Sequence, residues 1–242
     1  MSTKSGARAA IMLGALALPM AATAAPLFDT FGPLPEATFG GTGIPNDAVA
    51  ISSQFSNGTT SLITVAMSAT QSYSNPALSN DGAGTYFAQA GSNTGGPDGR
   101  LGALWNFNYY IKIDSATETL SDYQINLFYD FDPAFDNGPS GLGLIDVTAA
   151  IAAAPGATLV EDSQNLMFGF LATGIPGVVA APGGSFDPNA LGEYNFGIQV
   201  AQDGWGVENV RMDVQVVPIP AAAWLFGSAL LGFVGIKRRK QQ

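Results

Sequence analysis

Carboxylates and aromatic rings are what this chain offers to chemistry. It has 19 Asp and Glu, and neither His nor Cys. Without His there is no Ser-His-Asp triad and no His-ligated zinc or iron. Without Cys there is no thiolate ligand, no thiol nucleophile and no disulfide. The one dense constellation is Asp130-Phe-Asp132-Pro-Ala-Phe-Asp136-Asn137-Gly138. Asp130 and Asp132 would project from the end of a strand, with Asp136 and Asn137 returning from the following turn. A hard cation such as Ca²⁺ takes about six to eight oxygens at about 2.3–2.6 Å, which such a loop can supply. The spacing departs from the D-x-[DN]-x-[DN]-G pattern of an EF-hand. The plainer reading is an acidic loop closed by Asx turns and holding no cofactor.

Other chemistry has less behind it. A glycosidase needs two carboxylates at a defined separation. Glu161, Asp162 and Glu193 are available for that, but no spacing singles them out. A Ser-Lys arrangement would rest on Lys112, whose simpler role is a solvated charge. Tyr110 and Phe128 fall on the outer sides of two strands, where they either stack on sugar rings or cover the second sheet of the sandwich; the second is preferred. Gly91 to Arg100 is Gly-rich but lacks the Gly-Lys-Ser/Thr ending of a phosphate cradle, and Pro97-Asp98-Gly99 marks it as a turn. Phe131-Asp132-Pro133 and Phe186-Asp187-Pro188 repeat three residues twice, which is within chance. No catalytic residue is assigned, and the expectation is a protein that is not an enzyme.

The elements that must position these groups are strands. Leu27 to Asp47 is rich in Pro and Gly and reads as an extended leader. Ala48 to Phe55 and Thr60 to Thr70 flank Asn57-Gly58, a tight hairpin signal, with Ile63, Val65 and Met67 on one face. Leu101 to Ile113 alternates clearly, with Trp105, Phe107, Tyr109, Ile111 and Ile113 facing a core. Glu118 to Asp132 repeats the pattern through Tyr123, Ile125, Leu127, Tyr129 and Phe131. These two are expected to pair as a hairpin around Asp114 to Thr117. Leu142 to Ala154 reads as strand or short helix, and Ala157 to Leu171 as one or two strands ending in LMFGFL. Glu193 to Gln202 and Glu208 to Val216 alternate again and close the domain. About nine short strands without a long amphipathic helix read as all-β: a single antiparallel β-sandwich, Ig-like or jelly-roll, over residues 48–216.

The two ends differ in kind from this body. Six of the nine bases lie there; residues 25–216 keep Arg100, Lys112 and Arg211 against all 19 acids, a net charge of −16. Such a surface repels phosphates, so nucleic acid is not an expected partner. In residues 1–24, Lys4 and Arg8 precede an apolar stretch from Ala9 to Met20 and an A-x-A site, Ala22-Thr23-Ala24. This is the pattern of a secretory signal peptide cleaved between Ala24 and Ala25, which implies the Sec translocon and signal peptidase as partners.

The last 26 residues have three parts: Val217-Pro218-Ile219-Pro220-Ala221, an uncharged apolar run, and Lys237-Arg238-Arg239-Lys240. The run from Ile219 to Ile236 would make a helix of roughly 27 Å, close to the roughly 30 Å of a bilayer's hydrocarbon core. A membrane helix over 220–236 would begin at Pro220, with Trp224 near the outer interface and the four bases held in the cytoplasm. The order proline motif, short helix, basic terminus resembles the PEP-CTERM sorting signal of Gram-negative bacteria. Ile219 stands where that family's usual Glu is, and Val-Pro-Ile-Pro-Ala is similar to its Val-Pro-Leu-Pro-Ala variant. The resemblance covers about a tenth of the chain. It implies export through the inner membrane, transient anchoring there, cleavage near Pro218 to Ala221 by an exosortase, and an end point at the cell surface or outside the cell. It also implies association with extracellular polysaccharide and biofilm. The expected product is a non-enzymatic surface or matrix protein; a carbohydrate-binding module and a secreted carboxylate-dependent hydrolase are the alternatives.

Overall fold

The computed structural model describes residues 25–56, 60–73, 77–95, 99–135 and 141–218. The strands of the first half are β1 (Thr30–Gly32), β2 (Val49–Phe55), β3 (Leu62–Gln71), β4 (Ser79–Asn80), β5 (Thr85–Gln89), β6 (Ser92–Asn93), β7 (Gly102–Ala103) and β8 (Trp105–Asp114). Those of the second half are β9 (Gln124–Tyr129), β10 (Gly143–Asp146), β11 (Leu159–Gln164), β12 (Val179–Ala180), β13 (Gly192–Gln202) and β14 (Trp205–Val217). Among the described residues two single-turn α-helices, α1 (Val147–Ala150) and α2 (Gly169–Thr173), and one 3-10 turn, Leu120–Asp122, join them. The chain is all-β.

Its strands form a five-stranded sheet, β1-β2-β3-β8-β11, and a seven-stranded sheet, β12-β10-β9-β13-β14-β5-β4, with β6 and β7 as a small pair. Pairing is antiparallel except between β14 and β5, where Asp213 to Val217 run parallel to Thr85 to Gln89. The seven-stranded sheet is therefore mixed rather than purely antiparallel. One apolar core takes residues from both sheets: Ile63, Val65 and Met67 of β3 and Phe107, Ile111 and Ile113 of β8, with Ile125, Leu127, Phe196, Ile198, Met212 and Val214 of the other sheet. Period-two alternation puts these side chains on one face of each strand, and burying that face drives the sheets together. Phe107 and Phe196 stack across the core with ring centroids 4.7 Å apart.

Three features depart from the alternation reading. First, β8 and β9 do not form a hairpin. β8 lies between β3 and β11, and β9 between β10 and β13, so the chain crosses from one sheet to the other after Asp114. Alternation puts the apolar set of each strand against the core, but β3 and β8 bury their other face too, at Ala66, Ser68, Asn108 and Tyr110, while Tyr109 is only partly buried; nor does alternation carry information about the neighbour. Second, LMFGFL is not strand. Asn165 ends β11, its Oδ1 accepting the Met167 N–H at 3.1 Å, and Gly169 to Thr173 coil into α2. Third, the Pro/Gly-rich stretch after Leu27 is part of the fold. β1 pairs with β2, and Leu34, Ala37 and Phe39 form a second cluster with Val49, Ala66 and Tyr110 on the outer face of the five-stranded sheet. Glu161 clamps this layer down: its carboxylate accepts the Thr38 N–H at 2.8 Å, the Thr38 hydroxyl at 2.6 Å and the Phe39 N–H at 2.7 Å.

The same N-terminal segment ties the two sheets together. Leu27 bridges β14 through both backbone bonds to Arg211, at 3.1 and 2.8 Å, and three residues later the chain pairs with β2. Phe28, between the two contacts, and Phe31, within β1, pack on the main core.

Candidate functional site

Strand register places several loops at the end of the molecule where β14 finishes. Val216 pairs with Gly192 of β13, and Val217 with Gln89 of β5. Beside them the Glu193 N–H donates to the Pro133 carbonyl at 3.1 Å, and the Gly91 N–H to the Pro188 carbonyl at 2.7 Å. The connections after β9 and before β13 thus meet next to the exit of the chain. They carry the two Phe-Asp-Pro segments. The Phe131 ring lies 5.9 Å from the Phe186 ring, which lies 5.4 Å from Tyr194 and 6.1 Å from Trp105. Trp105 and Tyr194 are themselves 5.6 Å apart. The recurrence that read as chance is a spatial pair, and only long-range folding reveals it.

Of the residues considered for calcium, Asp130 and Asp132 are held within their own loop. Asp130 is buried and its Oδ1 accepts the Asp132 N–H at 2.9 Å; Asp132 Oδ1 accepts the Ala134 N–H at 3.0 Å. These are the Asx turns of the plainer reading. Asp136 and Asn137 lie outside the described residues. Among the described residues no group of three or more acidic side chains is arranged to hold a metal ion.

Asp130 and Asp132 flank Phe131 in the chain and Asp187 follows Phe186, so their charges lie near the Tyr194 ring. Burial raises the pKa of the Tyr194 phenol to about 12, with smaller contributions from the charges of Asp187, Asp130 and Asp132. Tyr194 is 0% exposed, Trp105 is 1% exposed, and neither the Tyr194 hydroxyl nor Trp105 Nε1 has a hydrogen-bond partner.

The opposite end holds a polar network that sequence reasoning did not single out. Glu118 accepts from the Tyr123 hydroxyl at 2.9 Å, from Gln202 Nε2 at 3.1 Å and from the Ser61 hydroxyl, and Ser56 donates to Gln202 at 2.7 Å. It fastens the β2–β3, β8–β9 and β13–β14 connections to one another. Asn165, also unforeseen, is a buried hub. Its Oδ1 accepts the Ala103 N–H at 3.0 Å, and its Nδ2 reaches the carbonyls of Ala103 and Trp105 and Oδ1 of Asn106. Neither showed in the sequence, because their partners are distant along the chain.

The hydrolase candidates are dispersed. Glu161 serves the clamp on Thr38 and Phe39. Asp162 accepts from Gln164 Nε2 at 2.6 Å and from the Ser163 N–H at 2.8 Å, and desolvation raises its pKa. Glu193 is on the other sheet. Lys112 pairs with Asp114 at 2.8 Å. Tyr110 does not cover the second sheet: it is buried on the outer face of the five-stranded sheet, under Leu34, Ala37 and Phe39 of the segment read as a leader, and Phe128 is half-buried.

Of the processing residues, Val217 ends β14, Pro218 is exposed just beyond it, and Ala25 is exposed at the other end. Ala22, Ala24, Ile219, Pro220, Ala221 and the basic cluster from Lys237 to Lys240 lie outside the described residues. No described helix is long and apolar enough to cross a membrane. No family model matches the chain, and neither a curated protein nor a solved structure matches it.

Proposed function

We propose that this chain is an exported, non-enzymatic bacterial surface or matrix protein. Its body is a single β-sandwich cargo. Its N-terminal 24 residues direct export, and its last 26 hold it in the inner membrane until an exosortase-type enzyme cuts near Pro218 to Ala221. The mature protein then resides at the cell surface or outside the cell. The observation that supports this reading most is the path of the chain along β14. β14 is paired through Val217, so the fold ends where the proline motif begins. Leu27 is paired antiparallel to Arg211 of the same strand, so the chain before Leu27 heads toward the end at which Val217 leaves. Arg211 and Val217 are six residues apart, about 20 Å of strand. The described chain therefore enters the paired fold from the same end at which it leaves it, an arrangement that suits a body held close to one membrane by its tail. The acidic cargo, at a net charge of −16 over residues 25–216, is suited to the outer side of that membrane, where such a charge favours solubility.

Replacing Pro218 and Pro220 together by Ala is the direct test. The cargo should still be exported but should accumulate as an inner-membrane precursor retaining Gln242, with the released form lost. Release at the wild-type rate would contradict the reading.

A further inference from the structure

The end of the fold beside the tail carries something the sorting reading does not use. Trp105, Phe131, Phe186 and Tyr194 form one aromatic group there, bordered by Asp130, Asp132 and Asp187. Leaving a buried donor without a partner is costly, yet Tyr194 and Trp105 each do so within this group. Phe186, on the connection before β13, is only partly buried and packs against Trp105, Phe131 and Tyr194.

We propose that this end is a binding site for a neutral sugar ring, and that Phe186 fills the ring's place when no sugar is bound. A ligand here must accept from the unpartnered phenol and indole and donate to nearby carboxylates. A sugar hydroxyl does both with one oxygen. The ring's apolar face stacks on aromatic side chains. Anionic sugars are disfavoured by three adjacent carboxylates and by the −16 of residues 25–216. The proposal concerns the cargo and holds whether or not the tail is cut.

The test is calorimetric titration of the full-length protein in detergent with cellotetraose, laminaritetraose and mannotetraose, with tetragalacturonate as the anionic control. At least one neutral tetrasaccharide should bind and the anionic one should not. Phe186→Ala should tighten binding by removing the competing ring. Tyr194→Phe and Asp187→Asn should each weaken it about fivefold, the loss of one hydrogen bond, with the unfolding midpoint unchanged. Tyr194→Phe removes a hydroxyl that has no partner, so it keeps the binding readout clear of any folding defect. The proposal is overturned if neither wild type nor Phe186→Ala binds a neutral tetrasaccharide, the result expected if the unpartnered donors serve only bound water. It is equally overturned if binding survives both Tyr194→Phe and Asp187→Asn unchanged.

Discussion

Glu208 and Gly192 each bear a conformational or electrostatic cost that a substitution can expose. Glu208 is buried at the start of β14, and desolvation raises its carboxyl pKa, partly offset by the Asn209 N–H it accepts at 2.7 Å. Asp162 is raised for the same first reason. A carboxyl whose folded pKa lies above its unfolded value binds more protons when folded, so stability falls as pH rises through that interval. Acidifying from neutral pH into the ordinary carboxylate range should therefore raise the thermal midpoint. Glu208→Gln, which keeps the acceptor and loses the charge, should raise the midpoint at neutral pH and flatten the profile; an unchanged profile in both scanning series would contradict the assignment. Gly192 has φ of 146°, and a side chain there would run into the Pro133 carbonyl and ring. Gly192→Ala combines backbone strain with a backbone clash. It should cost more than about 3 kcal/mol in denaturant unfolding, against roughly nothing at Gly141, where a Cβ meets open space.

Among the elements, what was legible in the sequence was what alternation encodes. The core faces of β3, β8, β9, β13 and β14 carry the apolar residues that alternation picks out, because a strand's side-chain period is two, but β3 and β8 also bury their other face at Ala66, Ser68, Thr70, Asn108 and Tyr110. The Asn57-Gly58 signal in the sequence correctly announced that β2 and β3 pair antiparallel, though these two residues themselves lie outside the described residues. Partners across sheets were not legible. Nothing in Leu101 to Asp132 says that β8 and β9 enter different sheets, since the connection between them is short enough for either path. The parallel pairing of β5 with β14 joins residues more than a hundred positions apart. The stretch from Leu34 to Phe39 hid its role because Pro and Gly obscure any period, while its contribution comes from three apolar side chains and one distant carboxylate. Of the candidate site, the acidic residues could be seen but not their grouping: Asp187 joins Asp130 and Asp132 only through the packing of Phe186 on Phe131. Glu161 allows a test at this scale. Hydrogen bonds to a charged group contribute about 1.5–3 kcal/mol, so Glu161→Ala should lower unfolding free energy by about 2 kcal/mol and leave Phe39 open to proteolysis. A change below about 0.5 kcal/mol in a urea titration would show the outer layer to be held by its apolar contacts alone.

At the scale of the whole molecule, the chain is a strongly acidic two-sheet body between two ends of opposite character. Nearly all its charge asymmetry arises from that division: the ends hold six of nine bases and none of the acids. The fold closes on itself at its first paired residue, since Leu27 bridges Arg211 of β14, the last strand. The cargo has almost no spacer between its last hydrogen-bonded residue, Val217, and the proline motif. Processing at that motif would release an intact fold, because the cut falls outside every paired residue described. The measurement that bears most directly on this account is the intact mass of the mature protein recovered from the cell surface and medium. A species beginning at Ala25 and ending between Pro218 and Ala221 is the predicted result. A protein that retains Gln242 and remains in the inner membrane would contradict it.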